Sequence, residues 1–472
     1  MKKHIKVGSV LFILTIIVGV GTVSAGSDQP ASETEQAYSI SSLHSIPPWQ
    51  EILVDTNTDV GRHVSVDINY GKTFVSYYDA ENKDLRLAMH VGSGGNCGPN
   101  NSWHCQIVDS MGDVGQYNSI ATKPAENETR VFISYYNATV GSLKYATGIC
   151  NSTCSFTSAT IDSGNPNFFI YKGKYTSVKY DWYGIPHISY YYQNSLGNDA
   201  LLYAHWVGHG LGNCGTGSDA NDWQCDVIHN AEGVGQYTSI DLDDDDHPSI
   251  AYYDAVNGYP LVAAYVGSGG SCGPGNSWYC RPVSHATKDI GKYVSLAVED
   301  SGLPHLAYYN TTDQTLEYAK FVGTGGNCGF SSVSLQFEWQ CDEIEDMGTS
   351  LTSMGLSMAL DNQGYPMIAY QDTSEDLAPA ALKFATPGSA YGLVPGETNC
   401  GPGMLFYTWY CGFVDGGGSY TDEGGSVSLA FNPAGLATIA YFELDTYAYP
   451  NEGNLKVAYQ QMRQFVPLIL KH

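Results

Sequence analysis

The sequence predicts an all-β fold, a seven-bladed β-propeller with four strands per blade. Three observations support this prediction. A strand motif that ends in tyrosine recurs seven times, a serine-led strand precedes every copy, and six of the seven units contain one pair of nearby cysteines. Successive copies are 55 to 71 residues apart. A period of this size is typical of repeat architectures in which each unit packs on its neighbours.

Each unit is predicted to contain four short strands, read from alternating or fully apolar runs between turn residues. The first strand begins near a serine, the second ends in the tyrosine motif, the third contains Leu-x-x-Ala and the fourth contains Trp-x-Cys. The first tyrosines of the seven motifs are Tyr77, Tyr135, Tyr190, Tyr252, Tyr308, Tyr370 and Tyr441. The serines are Ser65, Ser119, Ser177, Ser239, Ser295, Ser357 and Ser428.

The two ends of the repeat region predict how the ring closes. Residues 49–55 (WQEILVD) match the fourth strand of a unit, but no other strand of that unit precedes them. The last unit has three strands and stops near residue 459. We therefore expect the N-terminal strand to complete the last blade, within a propeller that spans residues 48–460 and has 28 strands and almost no helix.

The twelve cysteines form six local pairs, and five of these share one frame, Cys-Gly followed by Trp-x-Cys. One pair per unit indicates structural disulfides in an oxidising compartment. Zinc is the alternative for paired cysteines, but the spacings vary and no histidine pair accompanies them. The predicted disulfides are Cys97–Cys105, Cys150–Cys154, Cys214–Cys225, Cys272–Cys280, Cys328–Cys341 and Cys400–Cys411.

The N-terminal segment indicates export. Lysines 2, 3 and 6 precede an apolar run over residues 10–20 and the small residues Ser24 and Ala25, which predicts a signal peptide over residues 1–25. Residues 26–47 are expected to be a flexible polar leader. The tail, residues 461–472, contains the apolar stretch FVPLILK, which is either an edge segment packed on the ring or a surface-retention tag. The predicted location is secreted or cell-surface.

Charge limits the partners. The chain has 472 residues, with 48 Asp and Glu against 21 Lys and Arg, which gives a net charge of −27. This balance excludes nucleic acid as the expected partner, because phosphate binding needs clustered cations. It also disfavours an anionic membrane surface, and no segment after the signal peptide is long and apolar enough to span a bilayer. The expected partner is a glycan or an extracellular protein, bound by a monomer.

Two recurring elements are predicted to meet around the central channel, on the face formed by the loops between strands two and three and between blades. One is Gly-x-[Tyr/His]-x-Ser and the other is the end of the tyrosine motif. Tyrosine, amide and carboxylate groups suit saccharides, whereas features repeated in every blade commonly serve packing and turn capping. The predicted ligand-binding residues are Arg62, His63, Gln116, Tyr117, Lys174, Tyr175, Gln236, Tyr237, Lys292 and Tyr293.

Departures from the repeat indicate more specific chemistry. Arg62, Lys174 and Lys292 occupy one register of the first motif, where they could meet a carboxylated glycan or merely offset neighbouring acids. His63 replaces a tyrosine there. With Arg62 and Tyr77 it forms the candidate catalytic set for proton abstraction from a uronic acid, in which Arg62 neutralises the carboxylate and His63 or Tyr77 is the base.

An acidic turn in the fourth unit is a candidate calcium site. Residues 241–246 (DLDDDD) supply Asp241, Asp243, Asp244, Asp245 and Asp246, and clustered carboxylates are the ligands that Ca²⁺ prefers. The turn lacks the glycine-spaced pattern of known calcium loops, so a solvated acidic turn is the alternative. It is predicted to lie on the face opposite the candidate site. No other metal or cofactor is expected.

The repeats, such as SLAVEDSGLPHLAYYN at residues 295–310 and TLEYAKFVGTGGNCG at residues 315–329, resemble those of uncharacterised exported bacterial seven-bladed β-propeller proteins. The resemblance covers about residues 49–460 and implies a fold, not an activity. The Asp-box of the sialidase family is absent, because the turns here run Asp-x-x-Gly-x-Pro and lack its tryptophan.

Three functions remain open from the sequence. The favoured one is a non-catalytic recognition module that binds glycan or protein through the tyrosine-rich face. The second is a polysaccharide lyase with its site near Arg62 and His63, which predicts one asymmetric pocket dominated by units one to three, whereas a lectin predicts several equivalent pockets. The third is a structural scaffold.

Overall fold

The computed structural model describes residues 47–57, 59–126, 128–284, 289–347, 355–373, 380–393, 399–400, 408–416, 421–446 and 452–461. The predicted signal peptide, residues 26–46 of the predicted leader and residues 462–472 of the tail lie outside the described residues, so those predictions stay predictions. In the part of the chain that is described, no helix is long and apolar enough to cross a membrane.

The described residues form 29 strands in seven antiparallel sheets, with no α-helix among them. In chain order the strands are β1 (Trp49–Asp55), β2 (Val60–Asn69), β3 (Lys72–Asp79), β4 (Asp84–His90), β5 (Trp103–Asp109), β6 (Val114–Ala125), β7 (Glu128–Asn137), β8 (Ser142–Cys150), β9 (Cys154–Asp162), β10 (Tyr171–Tyr180), β11 (Pro186–Gln193), β12 (Ala200–Trp206), β13 (Trp223–Asn230), β14 (Val234–Leu242), β15 (Pro248–Asp254), β16 (Tyr259–Tyr265), β17 (Trp278–Pro282), β18 (Ile290–Val298), β19 (Pro304–Asn310), β20 (Thr315–Phe321), β21 (Cys328–Ser331), β22 (Gln336–Asp346), β23 (Leu356–Leu360), β24 (Pro366–Asp372), β25 (Ala381–Pro387), β26 (Trp409–Asp415), β27 (Thr421–Phe431), β28 (Ala437–Asp445) and β29 (Glu452–Gln460).

The seven-bladed propeller is confirmed. Blades one to four are β2–β5, β6–β9, β10–β13 and β14–β17, and blade six is β23–β26. Blade seven has the order β27-β28-β29-β1, so the N-terminal strand completes it as predicted. Blade five has the order β18-β19-β20-β22-β21. Its extra strand arises because 13 positions separate its two cysteines, enough for a short hairpin instead of a turn, and the prediction of 28 strands was one too few.

The repeated serines close the ring. Each serine hydroxyl accepts the backbone N–H of the residue that follows the next blade's serine, at 2.9 to 3.2 Å. The seven acceptors are Ser65, Ser119, Ser177, Ser239, Ser295, Ser357 and Ser428. A strand at the inner edge of its sheet would otherwise leave these donors unpaired. The serine motif therefore joins blade to blade around the channel.

The hydrophobic core is divided among the seven junctions between blades. The first tyrosine of each motif is fully buried there. Its hydroxyl commonly donates to a carboxylate at the end of the preceding blade's fourth strand, as Tyr77 does to Asp55 at 2.6 Å and Tyr441 to Asp415 at 2.8 Å. These tyrosines have packing roles, and their polar ends are satisfied across the junction.

Four blades add a buried cation at one position of the third strand, next to that carboxylate. Arg86 lies 3.3 Å from Asp55, and Lys144 lies 2.5 Å from Asp109. The equivalent cations in blades six and seven are Lys383 and Lys456. Because Asp55, Asp109 and Asp415 are buried and Glu345 is partly buried, their ionic partners are needed to offset the cost of desolvation.

All six predicted disulfides are present, and no cysteine is free. Each links residues of a single blade. Their loops also contact the preceding blade, as where the N–H of Gly215 donates to the carbonyl of Ile161 at 2.7 Å. Six disulfides are consistent with an extracellular protein.

Candidate functional site

The Gly-x-[Tyr/His]-x-Ser motif forms a double bulge at the start of the first strand. In blade two, the pairing register shifts between Val114 and Gln116 and again between Gln116 and Ser119. The residue between the shifts, Tyr117, has φ of 53°. The same shifts and a positive φ of 52° to 55° occur at the equivalent residues His63, Tyr175, Tyr237 and Tyr293. A bulge redirects a side chain, here toward the channel.

The motif's glycine is required by both conformation and space. Gly115 has φ of 106°, and a Cβ there would lie 2.8 Å from the Cα of Leu85 in the preceding blade. Gly173 meets Leu143 in the same way at 2.7 Å. Only glycine allows this close approach in a left-handed conformation. The bulge is therefore fixed against the neighbouring blade.

The five side chains form an aromatic arc, defined as His63, Tyr117, Tyr175, Tyr237 and Tyr293. Neighbouring ring centroids are 4.6 to 4.7 Å apart, with interplanar angles of 43° to 60°. Seven-fold symmetry rotates neighbouring blades by about 51° about the channel axis. The interplanar angles are close to this value, which indicates that the ring planes lie nearly parallel to the axis. At this spacing neighbouring rings are in contact with their planes tilted, and the centroid distances lie in the range that aromatic pairs favour.

The arc stops after five of seven positions. The equivalent residues of blades six and seven are Gly355 and Ser426, which we call the vacant sector. It separates the two end rings of the arc, Tyr293 and His63. The arc and the sector enclose a cavity of about 420 Å³ on the channel axis, to which all seven blades contribute.

Tyrosine is the most frequent residue type in the lining of the cavity, which also contains small, apolar and polar residues. Its lining residues are Arg62, His63, Val64, Tyr117, Asn118, Tyr175, Thr176, Tyr237, Thr238, Tyr293, Val294, Gly355, Leu356, Gly425, Ser426, Val427 and Phe442.

The cavity is nearly uncharged. Burial, reinforced by the charge of Arg62, lowers the pKa of His63 to about 4, so its imidazole is neutral at neutral pH. Burial raises the pKa of Tyr117, Tyr175 and Tyr237, so these phenols keep their protons. Neighbouring hydroxyls along the arc are within hydrogen-bonding reach of one another. The arc thus offers neutral groups that both donate and accept hydrogen bonds.

Six of the ten predicted ligand-binding residues line the cavity, namely Arg62 and the five members of the arc. The other four are not among its lining residues: Gln116, Lys174, Gln236 and Lys292. Lys174 Nζ donates to Gln193 at 3.0 Å, and Lys292 Nζ pairs with Asp289 at 2.6 Å. Lys174 and Lys292 therefore bind neighbouring side chains of the protein, which agrees with the second of the two interpretations of these cations.

The candidate catalytic set is not brought together. Arg62 and His63 line the cavity, but Tyr77 is fully buried between blades seven and one. Its hydroxyl donates to Asp55 and accepts from Arg86 at 3.3 Å. The tyrosine nearest His63 in the arc is Tyr117, whose ring centroid is 4.7 Å away.

In blades one to five, the second tyrosine of the motif packs against the arc residue of its own blade. Tyr78 lies 6.1 Å from His63, ring to ring, and Tyr136 lies 6.2 Å from Tyr117. The strand-end Asp and Asn residues cap turns, as where Asp79 Oδ1 accepts the N–H of Asn82 at 2.9 Å. The residues of this motif therefore pack and cap turns, and Phe442, which replaces the second tyrosine in blade seven, also lines the cavity.

Phe442 and the vacant sector were missed by the sequence prediction. Phe442 occupies the position that holds the second tyrosine in blades one to five, so the signal was a change of residue in an otherwise repeated strand. Gly355 and Ser426 were visible as losses of the motif. The sequence shows that these two positions lack an aromatic side chain, but only the structure shows that they are neighbours around the channel and therefore border one space.

The acidic turn uses its carboxylates within the fold. Asp243 Oδ1 accepts the N–H groups of Asp245 and His247 at 3.0 and 2.8 Å, and Asp241 lies 3.3 Å from Lys179. Across the described ranges, no group of three or more acidic, histidine or cysteine side chains is arranged to hold a metal ion. Calcium binding by this turn stays a prediction from the sequence.

No family model matches the chain, and no curated protein matches it. Solved structures similar to it include AofleA from Arthrobotrys oligospora, at 10% identity over 78% of this chain and 94% of that chain, with a TM-score of 0.41. The polysaccharide lyase Uly1 is 8% identical over 89% of this chain and 100% of that chain, with a TM-score of 0.46. The fucose-specific lectin from Aleuria aurantia is 12% identical over 78% and 99%, with a TM-score of 0.40. Likenesses this distant carry no argument about function.

Proposed function

We propose that this chain is an exported or surface-attached recognition protein that binds a saccharide in the central cavity, without catalysis. The observation that carries the proposal is the vacant sector. Blades six and seven contribute Gly355 and Ser426 where the other five blades contribute an aromatic ring, and we expect one sugar ring to bind in the cavity between Tyr293 and His63. The C–H face of a pyranose packs on an aromatic ring, so a sugar there would extend the arc.

The polar groups of the cavity fit the same ligand. The hydroxyls of Tyr117, Tyr175 and Tyr237 are neutral, and each can donate and accept a hydrogen bond, which is what sugar hydroxyls require. A volume of about 420 Å³ lies within the range of pockets for small ligands, about 300–1,000 Å³. Because the cavity lies on the axis, we expect one ligand per chain.

A glycan array probed with residues 26–472, followed by calorimetry on the hits, tests this proposal. The decisive variant is Ser426→Tyr, which places in the sector the residue type that four other blades hold there. It should abolish binding. Ser426→Ala is the matched control, because both variants lose the hydrogen bond from the Val64 N–H to Ser426 Oγ, 3.0 Å long, but only tyrosine fills the space. Undiminished binding by Ser426→Tyr, or several equivalent sites per chain, would contradict the proposal.

Catalysis at the same site is the second candidate. The observation that favours it is the placement of His63, which lines the cavity beside Arg62 and Tyr117 and is unprotonated at neutral pH, although its lowered pKa makes it a weak base. Uronate polymers should then give the absorbance of unsaturated uronate products, and His63→Ala should abolish it. Saturable binding without turnover favours recognition. If neither binding nor turnover is observed, the structural scaffold is the function that stays.

A further inference from the structure

Arg62, Lys174 and Lys292 occupy the same register of the bulge motif, but their side chains have different surroundings in the structure. Lys174 is held by Gln193, and Lys292 is paired with Asp289. Only Arg62 lines the cavity, where it is the one charged side chain among the lining residues that the structure describes. The guanidinium of Arg62 lies over the ring of Phe442, and both residues line the cavity together with Ser426.

Two contacts fix the guanidinium of Arg62. Its Nε donates to Asp59 Oδ1 at 2.7 Å, and its central carbon lies 5.5 Å from the centroid of the Phe442 ring. The Asp59 bond uses one of the five N–H donors of arginine. Within the described residues, the terminal nitrogens have no hydrogen-bonding partner, and the side chain is 46% exposed. A guanidinium that is restrained at one edge and open at the other is arranged to bind a planar anion through two parallel hydrogen bonds.

We infer that the saccharide bound in the vacant sector carries a carboxylate, and that Arg62 binds this carboxylate. The inference rests on the proposed function. It names a uronic acid, or another sugar acid with a carboxylate on its ring, as the ligand class. A sugar ring between Tyr293 and His63 would bring a ring substituent to the side of the sector where Arg62 lies. Without a local cation, the net charge of −27 would disfavour any anionic ligand.

The test compares ligands that differ only in charge. The probes are tri-uronates of galacturonic, glucuronic and mannuronic acid, each beside its neutral methyl ester, measured by calorimetry at low salt with product absorbance monitored for turnover. At least one acid should bind about tenfold more tightly than its ester, as expected for a bidentate charge-assisted pair. Arg62→Gln should remove this preference, because it should weaken the binding of the acid by about tenfold more than the binding of the ester.

Lys292→Gln is the matched control, because Lys292 has the same register but lies outside the cavity lining. It should keep the preference for the acid. Equal binding of acid and ester, or equal effects of the two variants, would overturn the inference and leave the proposed function standing. The same holds if only neutral glycans of the array bind. If no saccharide binds at all, both the inference and the proposed function are overturned.

Discussion

The hydroxyl of Ser428 accepts the backbone N–H of Val66 at 3.0 Å, across 362 positions of the chain. This contact joins blade seven to blade one and is the last of seven equivalent bonds around the channel. The ring is therefore closed twice, by these serines at its inner edge and by the pairing of β1 with β29 at its outer edge.

Ser428→Ala should lower the free energy of unfolding by about 1–3 kcal/mol, because it leaves the buried N–H of Val66 without a partner. Denaturant titration followed by tryptophan fluorescence measures the change. Ser332→Ala, at an exposed serine of the blade-five hairpin, is the control and should change stability by less than about 0.5 kcal/mol. Equal effects of the two variants would show that the serine hydrogen bonds between blades do not stabilise the closed ring.

Substitutions at Tyr175 should follow backbone conformation and not apolar character. Its φ is 53°, which asparagine tolerates and β-branched residues avoid. We expect Tyr175→Asn to be more stable than Tyr175→Val by about 1–2 kcal/mol, although valine is the more apolar residue. Thermal unfolding of the two variants measures the difference. A valine variant as stable as the asparagine variant would argue that the bulge relaxes and that its conformation is not enforced.

Lys456 of blade seven lies among three carboxyl groups, Asp415 at the end of blade six and Glu423 and Glu443 of blade seven. Its Nζ pairs with Asp415, lies 3.1 Å from Glu443 and 3.4 Å from Glu423. Lys456→Met should therefore cost about 3–5 kcal/mol of stability, since it leaves uncompensated buried charge. Lys320→Met is the control, because the pair of Lys320 with Glu299 is partly exposed and should contribute less than about 1 kcal/mol. Similar losses in both variants would contradict the ionic explanation.

Glu423 should make stability depend on pH. Burial, together with the nearby carboxylates Asp415 and Glu443, raises its pKa from 4.5 to about 8, in spite of Lys456. Because the folded pKa exceeds the unfolded one, its contribution is fully present below about pH 4.5 and is lost as the pH rises through about 8. The stability of the wild type should therefore fall, relative to Glu423→Gln, between those values.

Melting temperatures of the two proteins at several pH values in this window measure the effect. The gap between the two curves should change steadily with pH. Parallel curves would mean that Glu423 is ionised throughout, and that the buried cluster holds an additional negative charge.

The architecture was predictable because each strand carries its own pattern. The serine, tyrosine and Trp-x-Cys frames locate three of the four strands directly, and the match of residues 49–55 to a fourth strand predicted closure. The partners of the tyrosine hydroxyls were not predictable. The pairing of Tyr77 with Asp55 crosses a blade junction, and nothing in either strand alone specifies which acid faces which phenol.

The candidate site was predicted in part, for a similar reason. The motif identified the five members of the arc, because bulge glycines and aromatic residues recur together. It could not separate Arg62 from Lys174 and Lys292, since all three have the same register and differ only in contacts with Asp59, Gln193 and Asp289. Phe442 comes from a different strand of another blade, so its place in the cavity depends on ring closure.

The disulfides bear on how reliably this chain reaches its native pairing. Twelve cysteines can be mispaired in very many ways, yet each native partner lies only 4 to 13 positions away in sequence. Short loops close at the lowest entropic cost, so the correct pairs are also those that meet most often in the unfolded chain. Since no disulfide links two blades, a blade could be duplicated or deleted as a unit without leaving an orphaned thiol. Oxidative folding and the gain or loss of repeats are therefore compatible in this molecule.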